Sequence, residues 1–96
     1  MQIIQYEVLL KVLESGTLTS AAEELGYSQS GLTRMLNSLE AELGFPLLVR
    51  DRRGVRLSAE GKLALPHIQA LLNEQRRLLQ CAAEIKNLNL GLITIG

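Results

Sequence analysis

Ser20-Ala-Ala-Glu-Glu-Leu-Gly26-Tyr-Ser-Gln-Ser-Gly-Leu-Thr-Arg-Met-Leu36 is the stretch whose reading decides the fold. Within it Ala22, Gly26, Leu32 and Leu36 stand at offsets 0, +4, +10 and +14. A small residue, a glycine able to turn left-handed and two inward aliphatics suit two helices that cross closely through a tight turn. Ser20 and Glu23 have the spacing of a capping box, in which a hydroxyl and a carboxylate satisfy each other's orphan amides. A short helix is therefore predicted to start at Ser20 and to stop at Gly26, after Leu25. Ser28 offers the next cap. Leu32, Met35 with Leu36, Leu39 and Leu43 then outline a longer helix over 28–43, closed by Gly44 and Pro46.

Upstream, Tyr6, Leu9, Leu10 and Leu13 recur at helical spacing with Glu7, Lys11 and Glu14 between them, and Ser15-Gly16 ends that helix. Downstream the period changes. Leu47-Leu48-Val49 and Val55-Arg56-Leu57 read as short strands of a hairpin around the charged tip Arg50-Asp-Arg-Arg-Gly54. Three helices followed by a hairpin, with helices two and three joined by a Gly turn, give the order of a winged helix-turn-helix. The expected class is mainly α: a winged helix-turn-helix over 1–58 and a long helix over 59–89. The segment 90–96, Leu-Gly-Leu-Ile-Thr-Ile-Gly, turns β-branched and reads as the first strand of a further unit.

Ser58 can cap the long helix, whose apolar stripe comprises Leu65, Ile68, Leu71, Leu72, Leu78, Leu79, Ala82 and Ile85. Pro66 falls inside it and is expected to kink or delay it, because it lacks a backbone donor and crowds the preceding turn. At 1.5 Å per residue the helix would be roughly 45 Å long, more than a 58-residue head can cover. Such a stripe calls for a partner.

Composition narrows the chemistry. One Cys (Cys81) and one His (His67) stand 14 positions apart, too few for a zinc site or an internal disulfide. Neither has a local partner for nucleophile–base catalysis, so no catalytic residue, metal or cofactor is expected. The N-terminus carries no basic region followed by an apolar stretch, and no run nears the roughly 18 apolar residues of a membrane span. A cytoplasmic protein is expected.

In a helix-turn-helix the start of the second helix enters the major groove. Gln29, Ser30, Thr33 and Arg34 are then the candidate base contacts, since Gln and Arg can each pair a base edge through two hydrogen bonds. Thr19, Ser20, Ser28, Asn37 and Arg50 are candidate phosphate contacts, with Arg52 and Arg53 reaching from the wing (50–56) to backbone or minor groove. The same polar residues would suit the solvated face of an ordinary helix. The lack of any Asp or Glu from Gly26 to Leu39 favours the nucleic-acid reading. A winged fold kept as a protein-interaction module is the rival, and acidic or apolar groove positions would have marked it.

Leu18-Thr-Ser-Ala-Ala-Glu-Glu-Leu-Gly26, Ser28-Gln-Ser-Gly-Leu-Thr-Arg34 with Leu39-Glu40 and Leu43-Gly44, and Leu47-Leu-Val-Arg50 with Val55-Arg-Leu-Ser58 and Gly61 jointly resemble the N-terminal part of LysR-type transcriptional regulators. Leu48, Ser58, Glu60 and Gly31 depart from the residues that family favours (Phe, Thr, Ala and Ala). The resemblance implies a bacterial regulator that binds double-stranded DNA as a homodimer or tetramer. It implies that the long helix pairs antiparallel with its counterpart. It also implies a C-terminal domain that senses a small-molecule effector, with 90–96 as its beginning.

Ten basic and ten acidic side chains sum to zero, but unevenly. Residues 1–49 carry Lys11 and Arg34 against six Glu (net −4); 50–56 carry four Arg against Asp51 (net +3); 57–96 carry four basic and three acidic groups (net +1). Bulk attraction to DNA should be weak, leaving discrimination to geometry and base contacts.

Overall fold

The computed structural model describes residues 2–95, with side chains as far as Leu88. Its order is α1 (Ile3–Ser15), α2 (Leu18–Leu25), α3 (Gln29–Leu43), β1 (Leu48–Asp51), β2 (Gly54–Leu57) and α4 (Ala59–Ile95). The expected winged helix-turn-helix and long helix are present. Leu9, Leu32, Leu36, Leu39 and Leu47 are among the most deeply buried side chains, joined by Tyr6, Val8, Val12, Ala21 and Ala22. Ala22 permits α2 and α3 to approach, and Gly26 takes the left-handed conformation (φ 75°) that turns one into the other.

The start of α2 differs from expectation. Thr17, not Ser20, is the cap: its backbone is extended and its Oγ1 accepts the Ser20 amide at 3.1 Å. Gly16, left-handed at φ 85°, ends α1 and leaves only Thr17 between it and the first residue of α2. Ser20 thus lies within the first turn, and Ser20 with Glu23 is no capping box. Ser28 does cap α3, accepting the Gly31 amide at 3.1 Å.

The strands are antiparallel with Leu48 opposite Leu57, Val49 opposite Arg56, Arg50 opposite Val55 and Asp51 opposite Gly54. The ladder therefore runs through Arg50 and Asp51, which the sequence pattern assigns to the tip, and leaves a two-residue turn of Arg52 and Arg53. Leu47 stands just before the strand, in register with Ser58. Its amide donates to Glu40 Oε2 at 2.5 Å, and its carbonyl accepts the Ser58 amide at 2.9 Å.

Ser58 joins wing to long helix. Its hydroxyl donates to the Pro46 carbonyl at 2.5 Å and accepts the Gly61 amide at 2.9 Å. Gly61 is buried against this joint, where a Cβ would collide with the Leu47 carbonyl oxygen. From this cap α4 runs 37 residues, and Pro66 neither delays nor ends it. The Ser58 cap and the buried Gly61 fix the first turn of α4, upstream of Pro66, and Ile68 and Leu72, both buried on the head, fix the turns after it. Packing on both sides outweighs the missing donor.

Helix α4 continues through Ile95, so 90–95 are helical rather than a strand; Gly96 lies outside the described residues. The segment continues the backbone hydrogen-bond ladder of α4, which satisfies its amides and carbonyls within the helix. The molecule measures 62 × 28 × 20 Å, most of its length being α4. No helix among the described residues is long and apolar enough to cross a membrane.

Candidate nucleic-acid interface

Gln29, Ser30, Thr33, Arg34 and Asn37 line one open groove along α3. The i, i+1, i+4, i+5 and i+8 positions of a helix share a face, and the capped N-terminus of α3 lies at its head. Gln29 also borders a second groove with Thr17, Leu18, Thr19 and the wing residues Arg50, Asp51, Arg52, Arg53, Gly54 and Val55. The start of α2, the start of α3 and the wing thus share one continuous surface. Thr19 lies on it.

Two expected phosphate contacts are engaged locally. Ser28 Oγ holds the Gly31 amide and lies 3.4 Å from Ser30 Oγ, so it serves the cap. The Ser20 amide is taken by Thr17. Arg50 and Asn37 meet each other: Arg50 Nη2 donates to Asn37 Oδ1 at 3.0 Å.

Asp51 organises the wing. It accepts the Arg53 amide at 2.9 Å and pairs with the Arg56 guanidinium. The Arg56 hydrogen bond, with the Arg53 amide second, holds the Asp51 carboxyl below the usual carboxylate range. The four-Arg wing therefore presents Arg52 and Arg53 outward at the turn, Arg50 towards α3, and Arg56 tied to its own acid. The wing is also fastened to the head. The Val55 amide donates to the Gly16 carbonyl at 2.9 Å, and Gly54 (φ 121°) passes so close that a Cβ would collide with that oxygen.

Two residues that position this surface carry little mark in the local sequence pattern. Thr17 was hidden by the stronger-looking Ser20–Glu23 pair. Glu40, half-buried, accepts the Leu47 and Leu48 amides at 2.5 and 3.0 Å and seats β1 against α3. Its signal was its place: i+4 from Leu36 on the inward side of α3, where a carboxylate must find donors.

The stripe of α4 divides. Ile68 and Leu72, expected on the seam with a partner, are 5% and 4% exposed and belong to the head's own core. Leu65 and Ala82 are half-buried, while Leu71, Leu78, Leu79 and Ile85 are exposed at 39%, 65%, 63% and 47%. An apolar recess of about 190 Å³, lined by Tyr6, Phe45, His67 and Leu71 among others, adjoins the upper end of this face.

A short capped α2, a polar α3 face without acid and a pinned basic wing are the parts of a DNA-reading head. Residues 3–62 match the family described as bacterial regulatory helix-turn-helix protein, lysR family. The chain belongs to this family. It is 39% identical over its whole length to the uncharacterized HTH-type transcriptional regulator YvbU of Bacillus subtilis (strain 168), covering 33% of that protein. It is 33% identical, again over its whole length, to the HTH-type transcriptional regulator CzcR of Bacillus anthracis, also covering 33% of it. The LysR-type chain thus spans about a third of the length of these curated relatives. Among solved structures it resembles the CbnR DNA-binding domain in complex with DNA (TM-score 0.73, 36% identity, 80% of this chain and 88% of that one). It also resembles the BenM DNA-binding domain bound to benA site 1 DNA (TM-score 0.80, 29% identity, 88% and 99%). The chain is a LysR-type winged helix-turn-helix DNA-binding domain followed by a long helix, and its relatives are transcriptional regulators rather than enzymes.

Proposed function

We propose that this chain is the sequence-reading part of a bacterial, cytoplasmic transcriptional regulator, with α3 in the major groove and the wing on backbone or minor groove. The observation that carries the reading is the single surface shared by the starts of α2 and α3 and by the wing. The acid on that surface, Asp51, is already neutralised by Arg56. Gln29, Ser30, Thr33 and Arg34 contact bases. Thr19, Ser20, Arg52 and Arg53 contact phosphates, with Ser28 acting through the start of α3 that it caps. Residues 1–58 bind DNA; residues 59–89 pair with a second copy, as a dimer or within a tetramer. The remainder of the regulator supplies the domain that senses a small-molecule effector.

The test is binding to a pool of duplexes randomised over their centre, followed by affinity measurements on the enriched sequence. Wild type enriches a motif, and its affinity falls steeply between about 50 and 200 mM salt. Arg34→Ala lowers affinity by about 1–3 kcal/mol and relaxes preference at one position. Equal affinity for enriched and scrambled duplexes, in wild type and variant alike, would overturn the reading.

A further inference from the structure

We propose that Arg50 is a positioning residue for base recognition: it turns the Asn37 amide so that its oxygen faces the wing and its N–H donors face the groove. Asn37 then selects a hydrogen-bond-accepting base edge. The inference rests on the DNA-binding reading above and assigns one of its specificity contacts.

A guanidinium carries only donors, so the Asn37 atom that meets Arg50 at 3.0 Å must be the amide oxygen. That leaves the two N–H groups of Nδ2 for the groove that Asn37 lines with Gln29, Ser30, Thr33 and Arg34. Major-groove acceptors are purine N7, guanine O6 and thymine O4, whereas adenine N6 and cytosine N4 donate. Guanine and thymine thus offer acceptors alone, cytosine a donor alone, and adenine one of each side by side, so an amide fixed this way favours guanine or thymine.

The contact is held by the frame around it. Arg50 lies in β1, and Glu40, three residues beyond Asn37 on α3, binds the Leu47 and Leu48 amides that lead into that strand. On the opposite strand, Val55 is tied to the Gly16 carbonyl. The strand that carries Arg50 is thus fixed to α3 at its entry and to the α1–α2 turn through its partner. Only one guanidinium donor is used on Asn37, so the others can still meet a phosphate.

The experiment repeats the selection from the randomised duplex pool with wild type, Asn37→Ala, Asn37→Asp, Arg50→Ala and Arg52→Ala. Melting curves confirm that each variant folds. Asn37→Ala and Arg50→Ala are expected to lose preference at the same base position, by about three- to tenfold. Arg52→Ala is expected to weaken all duplexes evenly and keep the motif. Asn37→Asp keeps an oxygen for Arg50 but offers only acceptors, so the preferred base there changes from guanine or thymine to one with a donor, cytosine or adenine. An Arg50→Ala chain that binds every duplex more weakly with its motif unchanged overturns the inference, Arg50 being then a phosphate contact alone. So does a wild-type preference for cytosine or adenine at that position, or an Asn37→Asp chain that retains the wild-type guanine or thymine. A wild-type chain that enriches no motif removes the DNA-reading function itself, and is told apart because no variant comparison is then needed.

Discussion

Gly31 shows how two local rules can cancel. Ala in place of Gly inside a helix is worth about 1 kcal/mol of propensity. A Cβ at Gly31, however, would stand 2.9 Å from Ser28 Oγ, the hydroxyl that caps α3 through the Gly31 amide itself. Moving that hydroxyl weakens a cap worth about 1 kcal/mol. Gly31→Ala should therefore leave stability within about 0.5 kcal/mol of wild type by denaturant unfolding, not a full unit higher. A gain of the full propensity value would mean that the cap gives way at no cost. Asp51 makes a different prediction, in pH. Its folded carboxyl titrates below the ordinary aspartate range because Arg56 and the Arg53 amide favour the ionised form. A group so depressed stabilises the fold above its unfolded pKa, and that contribution is lost as pH falls through the folded value. The wing turn should therefore loosen only in strong acid, and a carboxyl-carbon NMR titration should place the Asp51 midpoint below that of an aspartate in an unstructured peptide. A midpoint at or above the peptide's would remove Asp51 as organiser of the wing.

The start of α2 separates two capping assignments by mutation. With Thr17 holding the Ser20 amide, Thr17→Ala should cost about 1 kcal/mol, while Ser20→Ala should stay within about 0.5. Urea unfolding of both variants decides, and the reverse order would restore Ser20 as the cap. The same element explains what could be read from the chain alone. Ala22, Gly26, Leu32 and Leu36 specify the helix crossing because a small buried residue, a left-handed turn and two buried aliphatics are each met there at fixed spacing, and Ser28 lies alone before α3, so crossing and cap are both legible. Thr17 and Ser20 are two hydroxyls competing for one role, and the choice depends on where Gly16 leaves the backbone. The ladder of the wing depends likewise on bonds from outside it. Glu40 holds the Leu47 and Leu48 amides at the entry to β1, and the Asp51 carboxylate accepts the Arg53 amide across the two-residue turn. Local pattern carries none of those long-range contacts. In the candidate site, residue types and helix face were evident from spacing, but the pairing of Asn37 with Arg50 joins residues 13 apart across two elements.

Helix α4 sets the behaviour of the whole molecule. Its upper turns are fastened to the head by Ile68 and Leu72, which places their apolar surface beyond the reach of any partner. Beyond them Leu78, Leu79 and Ile85 stay exposed, and no other described element covers that part of the helix. A helical stretch of roughly twenty residues with no tertiary packing is marginal in water, since tertiary burial supplies most helix stability. A second copy would bury these leucines, at about 1.5–3 kcal/mol for each fully covered side chain. Helicity of the lower half and dimerisation should therefore be one equilibrium. Dilution from tens of micromolar should lower the helical circular dichroism signal together with the sedimenting mass, while the melting of the head, reported by Tyr6, changes little. Leu78→Glu with Leu79→Glu should give a monomer with the frayed signal at every concentration, because two buried carboxylates are too costly in an apolar seam. A chain that sediments as a monomer yet keeps its full helical signal on dilution would show that α4 stands by itself, and would end the case for pairing through this face.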